Sequence, residues 1–149
     1  SVALGAKDEH TLRCFIKAER YQGPSLIIAF SHCIAHGIEM ATAMQNQKLA
    51  VLSGYWPLFR YNPELARQGE NPLILDSSNP KVPFREYAQK EGRFRALSKS
   101  NPQQAEELFR LAQEDILDRW RIYEAMANPS SASVGAEDPG IKVKKALSI

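Results

Sequence analysis

Cys33 is the side chain in this sequence best placed to do chemistry. It lies in the stretch Ser-His-Cys-Ile-Ala-His-Gly (residues 31–37), directly after the apolar run at residues 26–30. The run has the length of a strand, and open α/β sheets hold their ligands beyond the carboxyl ends of parallel strands. A loop residue there is positioned by the strand and can reach a bound group. Thiolates are the ligands of iron–sulfur clusters, but a single cysteine would need partners from outside this chain.

Three other interpretations of Cys33 stay open from the residues alone. A free cysteine is often a small buried hydrophobe, and its position alone favours that interpretation. The set His32, Cys33 and His36 could bind zinc, but the usual second pair of ligands is missing, and His10 is the only other histidine. The same set could form a Cys–His nucleophile, which needs a third orienting group that spacing cannot show. Gly37 would permit the backbone to turn after the loop.

A helix and a strand are predicted to position this loop. The spacing of Leu12, Phe15 and Ile16 predicts a helix over residues 8–21 with these side chains on its apolar face. Residues 25–31 are predicted to form a strand, and their consecutive apolar side chains indicate that both faces are covered, as in a parallel sheet. A helix, a short turn and a buried strand are half of a βαβ unit, so the predicted fold class is α/β.

The middle of the chain is predicted to form short elements. A helix over residues 45–53 turns Leu49 and Leu52 inward. Alternating side chains predict a strand over residues 56–61, with residues 71–76 as its hairpin partner. Two short helices are predicted at residues 84–90 and 94–99.

The strongest secondary-structure signal is a long helix over residues 102–127. Asn101 suits the N-cap, Pro102 suits the first helical position, and Gln104 completes a capping box. Beyond residue 128 the composition shifts to Ser, Ala and Gly, so we predict a folded portion at 1–127 and a flexible tail or linker at 128–149. The apolar stripe of the helix comprises Ala105, Leu108, Phe109, Ala112, Ile116, Trp120, Tyr123 and Ala127.

Composition and charge restrict the class of protein. A chain of 149 residues that is 44% hydrophobic and 24% charged is typical of one globular domain, and no apolar run approaches the roughly 18 residues that span a bilayer. The 19 basic and 17 acidic residues are scattered, so nucleic acid is not an expected partner.

Two cysteines make no disulfide framework, which favours reduced thiols in the cytoplasm. The chain starts without Met or a visible signal peptide, and we expect it to be a piece of a longer protein.

Three segments resemble one enzyme family, the pyruvate:ferredoxin (flavodoxin) oxidoreductases. They are GPSLIIAFSHCIAHG at residues 23–37, the pair QKLAV and SGYWPLFRY within residues 47–61, and AQED at residues 112–115. The similarity runs from Ser1 to about Asn128. It implies that the chain is the C-terminal part of a thiamine diphosphate-binding domain. The fold it implies is a doubly wound parallel sheet with a C-terminal helical extension.

The resemblance also implies a role for Cys33. In that family the cysteine of this loop is the last of four ligands to the [4Fe-4S] cluster nearest the thiamine cofactor, and the other three ligands lie upstream of the region found here. The motif for thiamine diphosphate and Mg²⁺ is upstream too. His32 departs from the family pattern, because many members carry Pro before this cysteine. Cys14 matches no family ligand and is expected to be structural.

The resemblance implies a function only for a longer enzyme. Such enzymes oxidatively decarboxylate pyruvate to acetyl-CoA and pass electrons through [4Fe-4S] clusters to ferredoxin or flavodoxin, usually as homodimers. This chain alone is expected to be inactive, since it lacks the thiamine motif and three cluster ligands. The alternative is a stand-alone, non-catalytic α/β module with a structural or interaction role.

Overall fold

The computed structural model describes residues 1–129, so nearly all of the predicted tail at 128–149 lies outside the described residues. Short helical elements and one hairpin precede a long helix. In chain order they are α1 (Asp8–Arg20), two 3-10 turns (Ile34–His36 and Met40–Thr42), α2 (Ala43–Leu52), β1 (Phe59–Tyr61), α3 (Pro63–Arg67), β2 (Leu73–Leu75), α4 (Phe84–Ala88), α5 (Gly92–Ser100) and α6 (Pro102–Ala127).

The main core lies where α2, α4 and α6 meet. Its buried members are Ala50 of α2, Phe84, Tyr87 and Ala88 of α4, and Ile116 of α6. Phe30 packs against this cluster and also against a second one around Leu58, so it joins the two cores.

Helix α6 confirms the predicted long helix at both ends. The Asn101 side chain accepts a hydrogen bond from the backbone N–H of Gln104 at 3.2 Å, which satisfies one of the free donors of the first turn. At the other end, the Asn71 amide donates to the backbone oxygens of Met126 (2.8 Å) and Ala127 (2.6 Å). The α6 side chains that are fully buried are Ala105, Ile116 and Trp120 of the predicted stripe.

The predicted hairpin is also present. Strands β1 and β2 pair antiparallel, with Arg60 opposite Ile74. Between them lies α3, whose N-cap Asn62 accepts from the N–H of Glu64 at 3.1 Å. The two short helices α4 and α5 likewise form close to their predicted positions.

Helix α1 forms as predicted, but the face that it buries was predicted wrongly. Leu12 and Phe15 are 62% and 53% exposed, whereas His10, Thr11 and Cys14 are buried. The apolar spacing identified an amphipathic helix, but in the described residues nothing covers its apolar side. The polar side packs inward because His10 has a carboxylate partner, described below.

The segment at residues 25–31 differs from the predicted strand. It is extended, but its ladder is one parallel bridge between Ala29 and Val2, with the Phe30 N–H donating to the Val2 oxygen at 2.9 Å. Leu26 is 84% exposed and Ile28 46% exposed, which contradicts burial on both faces within the described chain. Elements packed against each side of a sheet cover its faces, whereas Val2 is a hydrogen-bonded neighbour at the edge of this segment.

Helix α2 starts two residues earlier than predicted and turns a different face inward. It buries Asn46, Gln47 and Ala50, while Leu49 and Leu52 are half-buried. The inward polar side chains matter for the site below, because Gln47 lies under the Cys33 loop.

Asp76 connects α1 to the hairpin. Its carboxylate accepts two hydrogen bonds from the Arg60 guanidinium, each 2.7 Å, and lies 3.0 Å from Nε2 of His10. Burial alone would raise the pKa of Asp76, but the hydrogen bonds from Arg60 and His10 together outweigh it and hold that pKa below its ordinary value.

Replacing Asp76 with Asn is expected to destabilise the chain by about 2 kcal/mol at pH 7, since Arg60 and His10 lose a charged acceptor. Because the pKa of Asp76 is lowered by folding, its contribution is fully present above about pH 5 and is lost as the pH falls through the native pKa. Urea unfolding from pH 7 to pH 3 should therefore show that the free energies of unfolding of wild type and D76N approach each other as the pH falls. A difference in free energy of unfolding that stays constant with pH would contradict the lowered pKa of Asp76.

Candidate functional site

Cys33 lies on the surface, at the start of a 3-10 turn, with an extended backbone (φ −138°, ψ 132°). Its side chain is exposed, so the interpretation as a buried hydrophobe is wrong for the described chain. Its neighbours Ser31, Ile34 and Ala35 are exposed as well. Within residues 1–129 the thiol has no hydrogen-bond partner, and it is open to a group from outside.

The backbone just before Cys33 is held by two side chains. The Phe30 ring packs into the core between Trp56 (centroids 5.4 Å apart) and Tyr87 (6.3 Å apart). The buried amide of Gln47 donates to Nδ1 of His32 at 2.9 Å, which requires the histidine tautomer protonated on Nε2. These contacts fix the two residue positions on the approach to the thiol.

Gln47 also ties the loop to the start of the chain. Its side-chain oxygen accepts from the Gly5 N–H at 2.8 Å while its nitrogen contacts His32. Both ends of this amide are therefore used. The sequence showed only that residue 47 lay in a helix, and no local signal could have revealed partners that are 42 and 15 residues away.

The backbone after Cys33 turns sharply at Gly37. This residue has φ +65° and its N–H donates to the Ile34 oxygen at 2.9 Å, so it closes the 3-10 turn in the left-handed conformation that glycine adopts without strain. The predicted turn at Gly37 is thus present. Its carbonyl oxygen then accepts from the Gly92 N–H (3.2 Å) and from Nη2 of Arg95 (3.0 Å), both on α5.

The surface beside the loop carries net positive charge. A groove runs between residues 37–39 and the facing parts of α2, α5 and the link between α4 and α5. Its charged lining consists of Lys48, Lys90, Arg95 and one acid, Glu39. Three cations against one carboxylate give this surface a positive potential, which favours anionic groups near the loop.

In the described residues, neither the zinc nor the nucleophile interpretation of His32, Cys33 and His36 gains support. Within residues 1–129, no group of three or more His, Cys, Asp or Glu side chains is placed to hold a metal ion. His32 is instead engaged by Gln47.

One exposed thiol fits one corner of an iron–sulfur cluster. A cluster of this type takes thiolate ligands, and the side chain of Cys33 is open to solvent. The second cysteine cannot join it, because Cys14 is buried in α1, 3.5 Å from Nε2 of His10. Burial, and next the Asp76 carboxylate, raise the pKa of the Cys14 thiol, which keeps it protonated and inert. The described chain thus has one exposed thiol, and a cluster bound there would need its other ligands from elsewhere.

Comparison with known proteins confirms the family resemblance. The chain is 59% identical over 127 residues to the pyruvate-flavodoxin oxidoreductase of Trichormus variabilis, and that match covers 85% of the chain. It is 52% identical over 130 residues to a putative pyruvate-flavodoxin oxidoreductase of Synechocystis and 46% identical over 127 residues to the pyruvate:ferredoxin oxidoreductase of Moorella thermoacetica. The chain is therefore homologous to a segment of the pyruvate-flavodoxin and pyruvate:ferredoxin oxidoreductases.

The homologous segment is a small part of each relative. The chain spans about a tenth of the length of the curated relatives it matches, 11% in each of these three. No family model matches the chain. In the described part of the chain, no helix combines the length and the apolar character that crossing a membrane requires.

Proposed function

We propose that this chain is part of a longer 2-oxoacid oxidoreductase, in which Cys33 supplies one of the four thiolates of a [4Fe-4S] cluster. The observation that carries the proposal is the anchored, exposed thiol of Cys33 in a chain that is 59% identical to a pyruvate-flavodoxin oxidoreductase. The enzyme would convert pyruvate and coenzyme A to acetyl-CoA and CO₂ and pass the electrons released to flavodoxin or ferredoxin.

The residues of this chain would hold and orient the cluster. The bound cluster would accept and pass on electrons one at a time. Cys33 would bind one iron atom, while Phe30, His32 and Gly37 keep the loop backbone in place. The N–H groups in the stretch 34–37 are candidates for hydrogen bonds to cluster sulfur, which tune cluster potentials.

The rest of the proposal concerns parts outside this chain. The motif that binds thiamine diphosphate and Mg²⁺, and the three other thiolates, would lie in upstream regions of the same polypeptide. The whole enzyme would act as a homodimer in the cytoplasm. Residues 1–127 would form the C-terminal portion of the thiamine-binding domain. The exposed apolar side chains Leu12, Phe15 and Leu26 support this, because a doubly wound parallel sheet and its flanking helices would cover them.

Anaerobically purified, intact enzyme tests the function. Pyruvate and coenzyme A together should reduce flavodoxin or ferredoxin and form acetyl-CoA in proportion to the electrons transferred. Mixtures without coenzyme A or with 2-oxoglutarate in place of pyruvate are the controls. An enzyme that reduces neither acceptor with pyruvate would refute the proposed function.

A further inference from the structure

The junction between α4 and α5 packs closely against the turn that follows Cys33. Gly92, the first residue of α5, approaches Gly37 so closely that a Cβ on Gly92 would lie 3.1 Å from the Gly37 Cα and 3.2 Å from its oxygen. A Cβ on Gly37 would in turn lie 3.0 Å from the Gly92 Cα. A Cβ at either position would therefore require the facing backbone to shift by a few tenths of an ångström. At Gly37 the positive φ adds backbone strain for any other residue.

Two donors from α5 converge on one acceptor in the loop. The Gly92 N–H and the Arg95 guanidinium both donate to the Gly37 carbonyl oxygen, at 3.2 Å and 3.0 Å. Since the Gly37 N–H closes the turn onto Ile34, the peptide groups around Gly37 are fixed on both sides. Cys33 lies one 3-10 turn away, with the His36 N–H donating to its carbonyl oxygen at 3.0 Å.

The junction itself is held by buried polar side chains. Glu91, 1% exposed, accepts from the hydroxyl of Tyr87 at 2.6 Å and from Nε of Arg93. Burial, and next the Glu91 carboxylate, raise the pKa of Tyr87 far above its ordinary value, so its hydroxyl remains a donor. Tyr87 also contacts Phe30, so the same side chain supports the backbone on both sides of Cys33.

We propose that Gly92 and Arg95 are positioning residues that set where the Cys33 sulfur lies, and that this junction thereby tunes the potential of the cluster that Cys33 binds. The inference rests on the proposed function for its second half. Outer-shell groups that orient a ligand change the properties of the metal site even though they never touch it.

Two variants of the intact enzyme test the inference without unfolding the chain. In Gly92→Ala the new Cβ would lie so close to Gly37 that the loop backbone must shift by a few tenths of an ångström. In Arg95→Ala one exposed donor is lost. The controls match each change. Gly69→Ala alters a glycine with φ +78° and open space around it, and Arg119→Ala removes an exposed arginine that donates to the Tyr55 oxygen at 2.9 Å.

The first measurement is amide hydrogen exchange by mass spectrometry over residues 31–38. Both test variants should exchange faster there than wild type and both controls should not. The second measurement is the cluster spectrum in electron paramagnetic resonance and its midpoint potential. At the wild-type midpoint, the ratio of reduced to oxidised cluster should change by about threefold or more in the test variants. Arg95→Lys should restore the ratio in part.

The outcomes separate this inference from the proposed function. Unchanged exchange in both test variants would overturn the positioning role. Faster exchange with an unchanged spectrum and potential would overturn the tuning, with Cys33 still a ligand. A Cys33→Ser enzyme that keeps its full iron content would refute the proposed function, while the exchange measurement would still decide whether the junction holds the loop.

Discussion

Replacing Cys33 with Ser in the intact enzyme is expected to remove or destabilise one [4Fe-4S] cluster, lowering the iron content by about four atoms per chain. A serine hydroxyl is a much poorer ligand than a thiolate, and the exposed position of Cys33 offers no other thiol as a replacement. Pyruvate-dependent reduction of flavodoxin should fall by at least about tenfold, because an electron carrier would be missing. Iron and acid-labile sulfide analysis, with activity on the same preparation, measure both effects.

Cys14→Ser is the matched control for this experiment. It also removes one thiol, but from a buried position beside His10 on α1. The iron content should stay at the wild-type level, whatever small loss of stability follows from placing a hydroxyl there. Full cluster content and normal activity in Cys33→Ser would contradict the ligand role, and equal iron loss in both variants would indicate a general effect of cysteine replacement.

Elements whose determinants lie within a few residues were predictable from the sequence. The start of α6 depends on Asn101, Pro102 and Gln104, which are adjacent, and its cap has the expected geometry. Gly37 likewise turns the chain where its lack of a Cβ suggested. Local steric and capping preferences are properties of the sequence itself, so tertiary packing did not have to be known.

Features that depend on distant partners were not predictable. Periodicity showed that α1 is amphipathic, but it could not show that His10 would turn inward to meet Asp76, 66 residues away. The same is true of residues 25–31. Their apolar composition predicts that they are buried, but it does not show which elements pack against them.

In the candidate site, too, local features were predictable and contacts with distant residues were not. Cys33, the proposed ligand, and Gly37, which turns the chain after it, could be named from the sequence. Their supports could not, because Gln47 and Arg95 reach the loop across 15 and 58 residues.

Arg93→Ala is expected to be the most destabilising of the substitutions considered for this region, at about 3 kcal/mol. It leaves the Glu91 carboxylate, whose side chain is 2% exposed, with Tyr87 as its remaining donor. Replacing Glu91 instead leaves no buried charge, because the Arg93 side chain is 39% exposed and can turn to water, but it removes the acceptor of the buried Tyr87 hydroxyl. Urea unfolding, followed by the fluorescence of Trp56 and Trp120, measures the free energy of unfolding of each variant relative to wild type. Arg13→Ala, which replaces an exposed arginine on α1, is the control.

A double variant distinguishes a buried charge from lost packing. If the unpaired carboxylate causes the loss, then Glu91→Gln combined with Arg93→Ala should be more stable than Arg93→Ala alone, since no charge is left buried and the Tyr87 hydroxyl keeps an acceptor. Additive losses would assign the effect to packing instead. Because Glu91 supports the junction that contacts Gly37, Arg93→Ala should also speed amide exchange over residues 33–37, which links the stability of this buried pair to the order of the cysteine loop.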